Sequence, residues 1–176
     1  MVNEGVIQKP AIIRFLSHGT LAKIPLEDMA AACDQLIRAE TQNDAKAAVV
    51  LGQKFIRQTR KHGGAAHITA LRSHGWAALV AGKYHLAEKS YLEARQHLHK
   101  DPLACARIDR VLIDIYMYLA DFNEARRRAA AALKTFRRLK EPADIARTEV
   151  NYANLLHRQD RHQEAQRYYH RAATYF

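Results

Sequence analysis

The chain has 176 residues, 48% of them hydrophobic, and a formal net charge of +10. That is enough for one domain or a short array with a buried core, and no apolar stretch approaches the roughly 20 residues of a membrane-spanning helix. Seven glycines and four prolines against abundant alanine, leucine and arginine point to helix, and Met1 to Gln8 lacks a basic start followed by an apolar run, so a soluble, cytoplasmic, all-α protein is expected.

In chain order, residues 1–25 predict a short helix opened by Pro10, carrying Ile12, Ile13 and Leu16 and ended by His18-Gly19, whose expected role is to cover the open end of a helical stack. Pro25 opens a second helix with Met29, Ala32, Cys33, Leu36 and Ile37 on one stripe. Thr41-Gln42-Asn43 reads as a cap. The next stripe is Ala45, Ala48, Val49, Gly52, Phe55 and Ile56, closed by His62-Gly63-Gly64. Cys33 and Cys105 lie far apart in apolar helical surroundings and read as small buried hydrophobes.

From residue 68 one pattern is written three times. Ala87, Ala125 and Ala165 are each followed by Tyr91, Ala129 and Tyr169, then by Ala94, Ala132 and Ala172; a ring precedes each copy (Tyr84, Phe122, His162), and Gly75, Ile113 and Ala153 stand twelve residues before the first alanine. Anchors 38 and 40 residues apart leave room for two helices and two short turns per unit. Turns are expected at Gly82-Lys83, Ala120-Asp121 and Asp160-Arg161, and Asp101-Pro102 and Glu141-Pro142 mark the starts of the later units.

These residues resemble the tetratricopeptide repeat, most visibly in Asn151-Tyr152-Ala153-Asn154-Leu155-Leu156 followed by Gln163-Glu164-Ala165, Tyr168-Tyr169 and Ala172. The resemblance implies a right-handed superhelical array of antiparallel helix pairs, an α-solenoid, with residues 1–25 as an N-terminal capping segment and units at 26–64 (degenerate), 68–100, 102–140 and 142–176. Units longer than the family's usual length look like those of kinesin light chains, bacterial peptide-sensing regulators and large signalling proteins. The family's aromatic near the start of the first helix is replaced by Leu71, Asp109 and Glu149.

Catalysis is not expected. No two of the ten histidines stand four apart, so no metal site is expected from histidine spacing, and no cofactor is implied. Gly63-Gly64 lacks the lysine and serine of a phosphate loop, and isolated Ser17, Ser73 and Ser90 do not assemble a nucleophile with its base.

In the family the first helix of each unit lines a concave groove. Here that implies Thr69, Arg72, Trp76, Leu79 and Val80, then Arg107, Arg110, Asp114, Met117 and Tyr118, then Arg147, Val150, Asn154, His157 and Arg158. Arginines among rings suit an acidic peptide, and Asn154 resembles the groove asparagines that hold a peptide backbone. The alternatives are that these arginines are solvated, that Arg107 pairs along its own helix and that Trp76 packs between helices. Ser73 and Trp76 stand where the third copy has Asn151 and Asn154, which disfavours a clamp for the acidic tails of heat-shock chaperones.

The expected function is a protein or peptide interaction scaffold. The alternative is electrostatic nucleic-acid binding through residues 126–140, seven basic residues and no acid, where the sequence shows no interleaved aromatic platform. Tyr168, Tyr169, Ala172, Ala173, Tyr175 and Phe176 make the last helix apolar, which leads to the expectation of a missing following domain or of self-association.

Overall fold

In the computed structural model residues 7–175 are described, and among them nine α-helices succeed one another with no strand between: α1 (Lys9–His18), α2 (Leu26–Asn43), α3 (Ala45–Thr59), α4 (Gly64–Val80), α5 (Tyr84–His97), α6 (Pro102–Tyr118), α7 (Phe122–Leu139), α8 (Pro142–Arg158) and α9 (His162–Ala173). The helices divide into two compact units, Met1–His97 and Leu98–Phe176. Each unit closes a core of its own.

In the first unit α4 packs against α2, α3 and α5 and is buried on most of its faces. Its core includes Met29, Cys33, Ile37, Val49, Phe55 and Leu71. The α3–α4 crossing is close because Gly52 lacks a side chain: a Cβ there would lie 2.9 Å from the Cα of His74. Helix α1 rests on α3 and α2 with Ile12, Phe15 and Leu16 buried, Phe15 edge-on to Phe55 at 6.4 Å. Ile13, on the same helix, is exposed. Thr41-Gln42-Asn43 does not cap α3. It is the last turn of α2, and Asp44 is the cap, its carboxylate accepting from the backbone N–H of Lys46 and Ala47 at 2.9 and 3.0 Å.

In the second unit α6 packs on α7 and α8, α7 on α8, and α8 on α9. Asp101 caps α6 and Asp121 caps α7 through the N–H groups of Ala104 and Glu124. Glu141 makes no such bond to α8, and its carboxylate lies 3.8 Å from Arg107 instead. All six anchor alanines, Ala87, Ala94, Ala125, Ala132, Ala165 and Ala172, are buried at helix contacts. Cys33 and Cys105 are buried free thiols, and burial pushes the Cys33 thiol up to about 12.

Three turns share one geometry. Gly82, Ala120 and Asp160 all have positive φ (71°, 59° and 58°), and the next residue's N–H reaches back to close the helix: Lys83 to Ala78 O at 2.8 Å, Asp121 to Tyr116 O at 2.9 Å, Arg161 to Leu156 O at 3.0 Å. Lys140, with φ 56°, ends α7 the same way through Glu141 N–H to Phe136 O. Leu71 is buried, as are Asp109 and Glu149 at the matching places of α6 and α8. The two acids are held by Arg128 Nη1 at 2.8 Å and Arg171 Nη2 at 2.7 Å.

Candidate functional site

On α6 and α8 of the second unit, three of the predicted groove residues, Arg107, Arg110 and Arg147, surround one buried carboxylate. Asp144, in the first turn of α8, has only 4% of its side chain exposed. Arg107 Nε donates to it at 2.8 Å, and Arg110 and Arg147 approach at 3.9 and 4.0 Å. Hydrogen bonding to Asp144 raises the Arg107 pKa above its ordinary value. Glu141 lies 3.8 Å from Arg107 as well, and the side chains of Arg107 and Arg147 remain about half exposed to solvent. Arg107 pairs across to α8, not along its own helix.

A polar contact lies beside this cluster. Asn151 Nδ2 donates to Asp114 Oδ2 at 2.9 Å and to the Arg110 carbonyl at 3.2 Å. The same register recurs in the first unit, where the Ser73 hydroxyl lies 2.5 Å from Asp34 Oδ1. Asp34 and Asp114 stand eleven residues before Ala45 and Ala125, and Ser73 and Asn151 fourteen before Ala87 and Ala165. Burial raises the Asp114 carboxyl to about 6, Arg110 pulling the other way, and burial lowers Arg110.

Several expectations need correction here. Arg110 is half-buried, with its Nε enclosed, rather than open to solvent, because α8 covers it. Met117 is buried. Asp114 faces Asn151 across the helix contact rather than an open groove. Asn154 is only half-exposed, and its carbonyl oxygen is taken by the Tyr169 hydroxyl at 2.6 Å, which leaves its amide N–H groups for a ligand. Tyr118 is 43% exposed, and the Arg158 guanidinium sits over its ring at 4.8 Å.

Arg72 and Trp76 belong to the first unit. Trp76 is 39% exposed, so it does not pack away between helices. Arg72 lines a shallow cavity of about 340 Å³ with Arg38, Asp34 and Glu27, between α2 and α4.

The basic ridge of α7 has an aromatic neighbour that the linear sequence conceals. Arg126, Lys134 and Arg137 line a surface groove of about 410 Å³ with Tyr152 of α8 and Tyr168 of α9, whose rings meet edge-on at 4.8 Å. Arg171 stacks over Tyr168 at 4.2 Å. Part of the ridge charge is offset: Arg127 and Arg128 both pair with Glu124, and Arg137 lies 3.7 Å from Glu149.

Histidine spacing alone does not reveal one further cluster. His67 of α4 meets Glu93 and His97 of α5, with one ligand atom from each within 4.8 Å of the others. Its signal in the sequence is a glutamate and a histidine four residues apart, a mixed pair rather than two histidines. Tyr175 is exposed, Tyr168 and Tyr169 are half-buried, and Phe176 lies outside the described residues.

No protein-family model matches the chain, and no curated protein matches it. Among solved structures, BtubC (BKLC) from P. vanneervenii is similar, with a TM-score of 0.74 and 18% identity over 93% of this chain and 69% of that one. At that identity the likeness concerns the fold. None of the helices among the described residues is long and apolar enough to cross a membrane.

Proposed function

We propose that the chain is a tetratricopeptide-type interaction scaffold, an array of helix pairs, and that the α6–α8 face binds an acidic peptide or partner segment. The observation that carries this reading is the sharing of Asp144 by three arginines, with exposed Arg147, Arg158 and Tyr118 on the same two helices. Carboxylates of a ligand would take the guanidinium donors that Asp144 leaves free, and Tyr118 with Arg158 offers a ring and a further cation at the other end of the same two helices. The repeated turns and buried anchor alanines support the repeat reading.

Titration of the full chain with fluorescent peptides rich in Asp and Glu, against neutral and basic controls, tests it. Arg147→Glu with Arg158→Glu is expected to weaken acidic-peptide binding at least tenfold, about 1.4 kcal/mol, without loss of helix content. These sites are chosen because reversing half-buried Arg110 would disturb the fold itself. Equal binding of acidic and neutral peptides, or an unaffected double variant, would overturn the reading.

A second reading is favoured by Tyr152 and Tyr168 beside Arg126, Lys134 and Arg137, a basic groove with rings that suits a single nucleic-acid strand. Tyr168→Ala with Lys134→Glu should abolish oligonucleotide binding and spare the peptide. Failure of the parent to bind any single strand at low salt removes this reading.

A further inference from the structure

The cluster at the open ends of α4 and α5 is built like a metal site. His67 stands in the first turn of α4 and is buried, while Glu93 and His97 project from the last turns of α5, four residues apart and so on one face. The Thr59 hydroxyl lies 3.1 Å from His67 Nδ1, as well as 3.0 Å from the Phe55 carbonyl and 3.3 Å from that of Ile56. The contact with His67 engages Nδ1 and leaves Nε2 as the ring nitrogen turned toward α5. His67 Nε2 faces Glu93 Oε1 at 3.8 Å, with the His97 ring edge-on at 5.4 Å between centroids. A cation seated among these three side chains would draw on all of them at once, and a hydrogen-bond partner on the second imidazole nitrogen, here the Thr59 hydroxyl, orients a metal-binding histidine.

We propose that His67, Glu93 and His97 bind a divalent first-row transition ion of the zinc class, which fastens α4 to α5 and leaves one coordination position open. Two imidazole nitrogens and one carboxylate oxygen match that ion's preference, and the harder Mg²⁺ and Ca²⁺ are disfavoured by the nitrogen ligands. Bond lengths of about 2.0–2.1 Å place tetrahedral ligand atoms about 3.3 Å apart. The three ligand atoms already lie within 4.8 Å of one another, with His67 buried, Glu93 half-buried and His97 exposed, so closing to that spacing asks only for side-chain rotation of Glu93 and His97.

The test uses the full chain, stripped with a chelator and desalted, then titrated with Zn²⁺ by calorimetry and with Co²⁺ by visible absorption. One equivalent binding in the micromolar range or tighter is expected, with ligand-field bands from Co²⁺, a rise in melting temperature and no response to Mg²⁺. His97→Ala and Glu93→Gln lie on accessible side chains and should keep the fold, checked by circular dichroism, while weakening Zn²⁺ at least tenfold. His162→Ala, at the other close histidine pair (His157 and His162, rings 4.7 Å apart), should bind as the parent does. Absence of binding to the parent, binding unchanged in His97→Ala and Glu93→Gln, or loss of the equivalent in His162→Ala instead, would each overturn the proposal.

Discussion

Asp109 and Glu149 sit inside helix contacts where an aromatic residue would satisfy packing alone, and each survives there because an arginine reaches in from the second helix of its pair. Such a pair adds little net stability over apolar packing, but breaking it strands a buried charge. Asp109→Ala leaves Arg128 with only Glu124 and is expected to cost about 3 kcal/mol in urea unfolding. Asp114 behaves differently, because burial raises its carboxyl from 3.8 to about 6. Above pH 6 the folded and unfolded states are both ionised, and the cost of burying the charge is fully present. Between pH 6 and 4 the folded state takes up the proton first, so this residue's contribution becomes more favourable as pH falls. Asp114→Asn, which keeps an acceptor for Asn151, should therefore be more stable than the parent at pH 7 by on the order of 2 kcal/mol, a gap that closes by pH 4. His67 and His74, whose pKa values burial lowers, destabilise the fold in acid, so the difference between parent and variant is the quantity to measure.

At the scale of the element, the turns after α4, α6 and α8 demand a left-handed residue at one position, and only the first copy supplies glycine. Ala120 and Asp160 adopt that conformation against the clash of Cβ with the following carbonyl. Ala120→Gly should relieve it and stabilise the protein by about 1 kcal/mol, seen as a higher melting temperature, while Gly82→Ala should lower it. The anchor alanines set how closely the helices approach. Ala125 is fully buried, so Ala125→Leu should overpack its contact and cost about 1–3 kcal/mol. A leucine variant that unfolds no earlier than the parent would refute the register assigned to α7.

For the molecule as a whole, a net charge of +10 favours encounter with any polyanion, and only geometry separates a specific ligand from a diffuse one. Attraction between exposed arginines and an acidic peptide is screened beyond about 8 Å at physiological ionic strength. Raising salt from low to near-molar should therefore weaken peptide binding severalfold, chiefly by slowing association. If Tyr118 and the Asp144 cluster add specific contacts, a residual affinity should persist in Arg127→Glu with Arg138→Glu, which changes charge but not that face.

The sequence by itself determined the helices, their turns and the buried anchors, because helical periodicity and turn chemistry act between residues three to five apart. Ala87, Ala125 and Ala165 could be placed inside from spacing alone, and Gly82, Ala120 and Asp160 fell at the expected turns. The tertiary structure decided which side chains meet. Asn151 with Asp114 and Arg107 with Asp144 are contacts 37 residues apart, Arg110 disappears beneath α8, Tyr152 and Tyr168 flank a ridge drawn from α7, and His67 faces Glu93 and His97 from a different helix. Those meetings depend on the crossing and rotation of whole helices, quantities to which every core contact contributes and which no local spacing encodes.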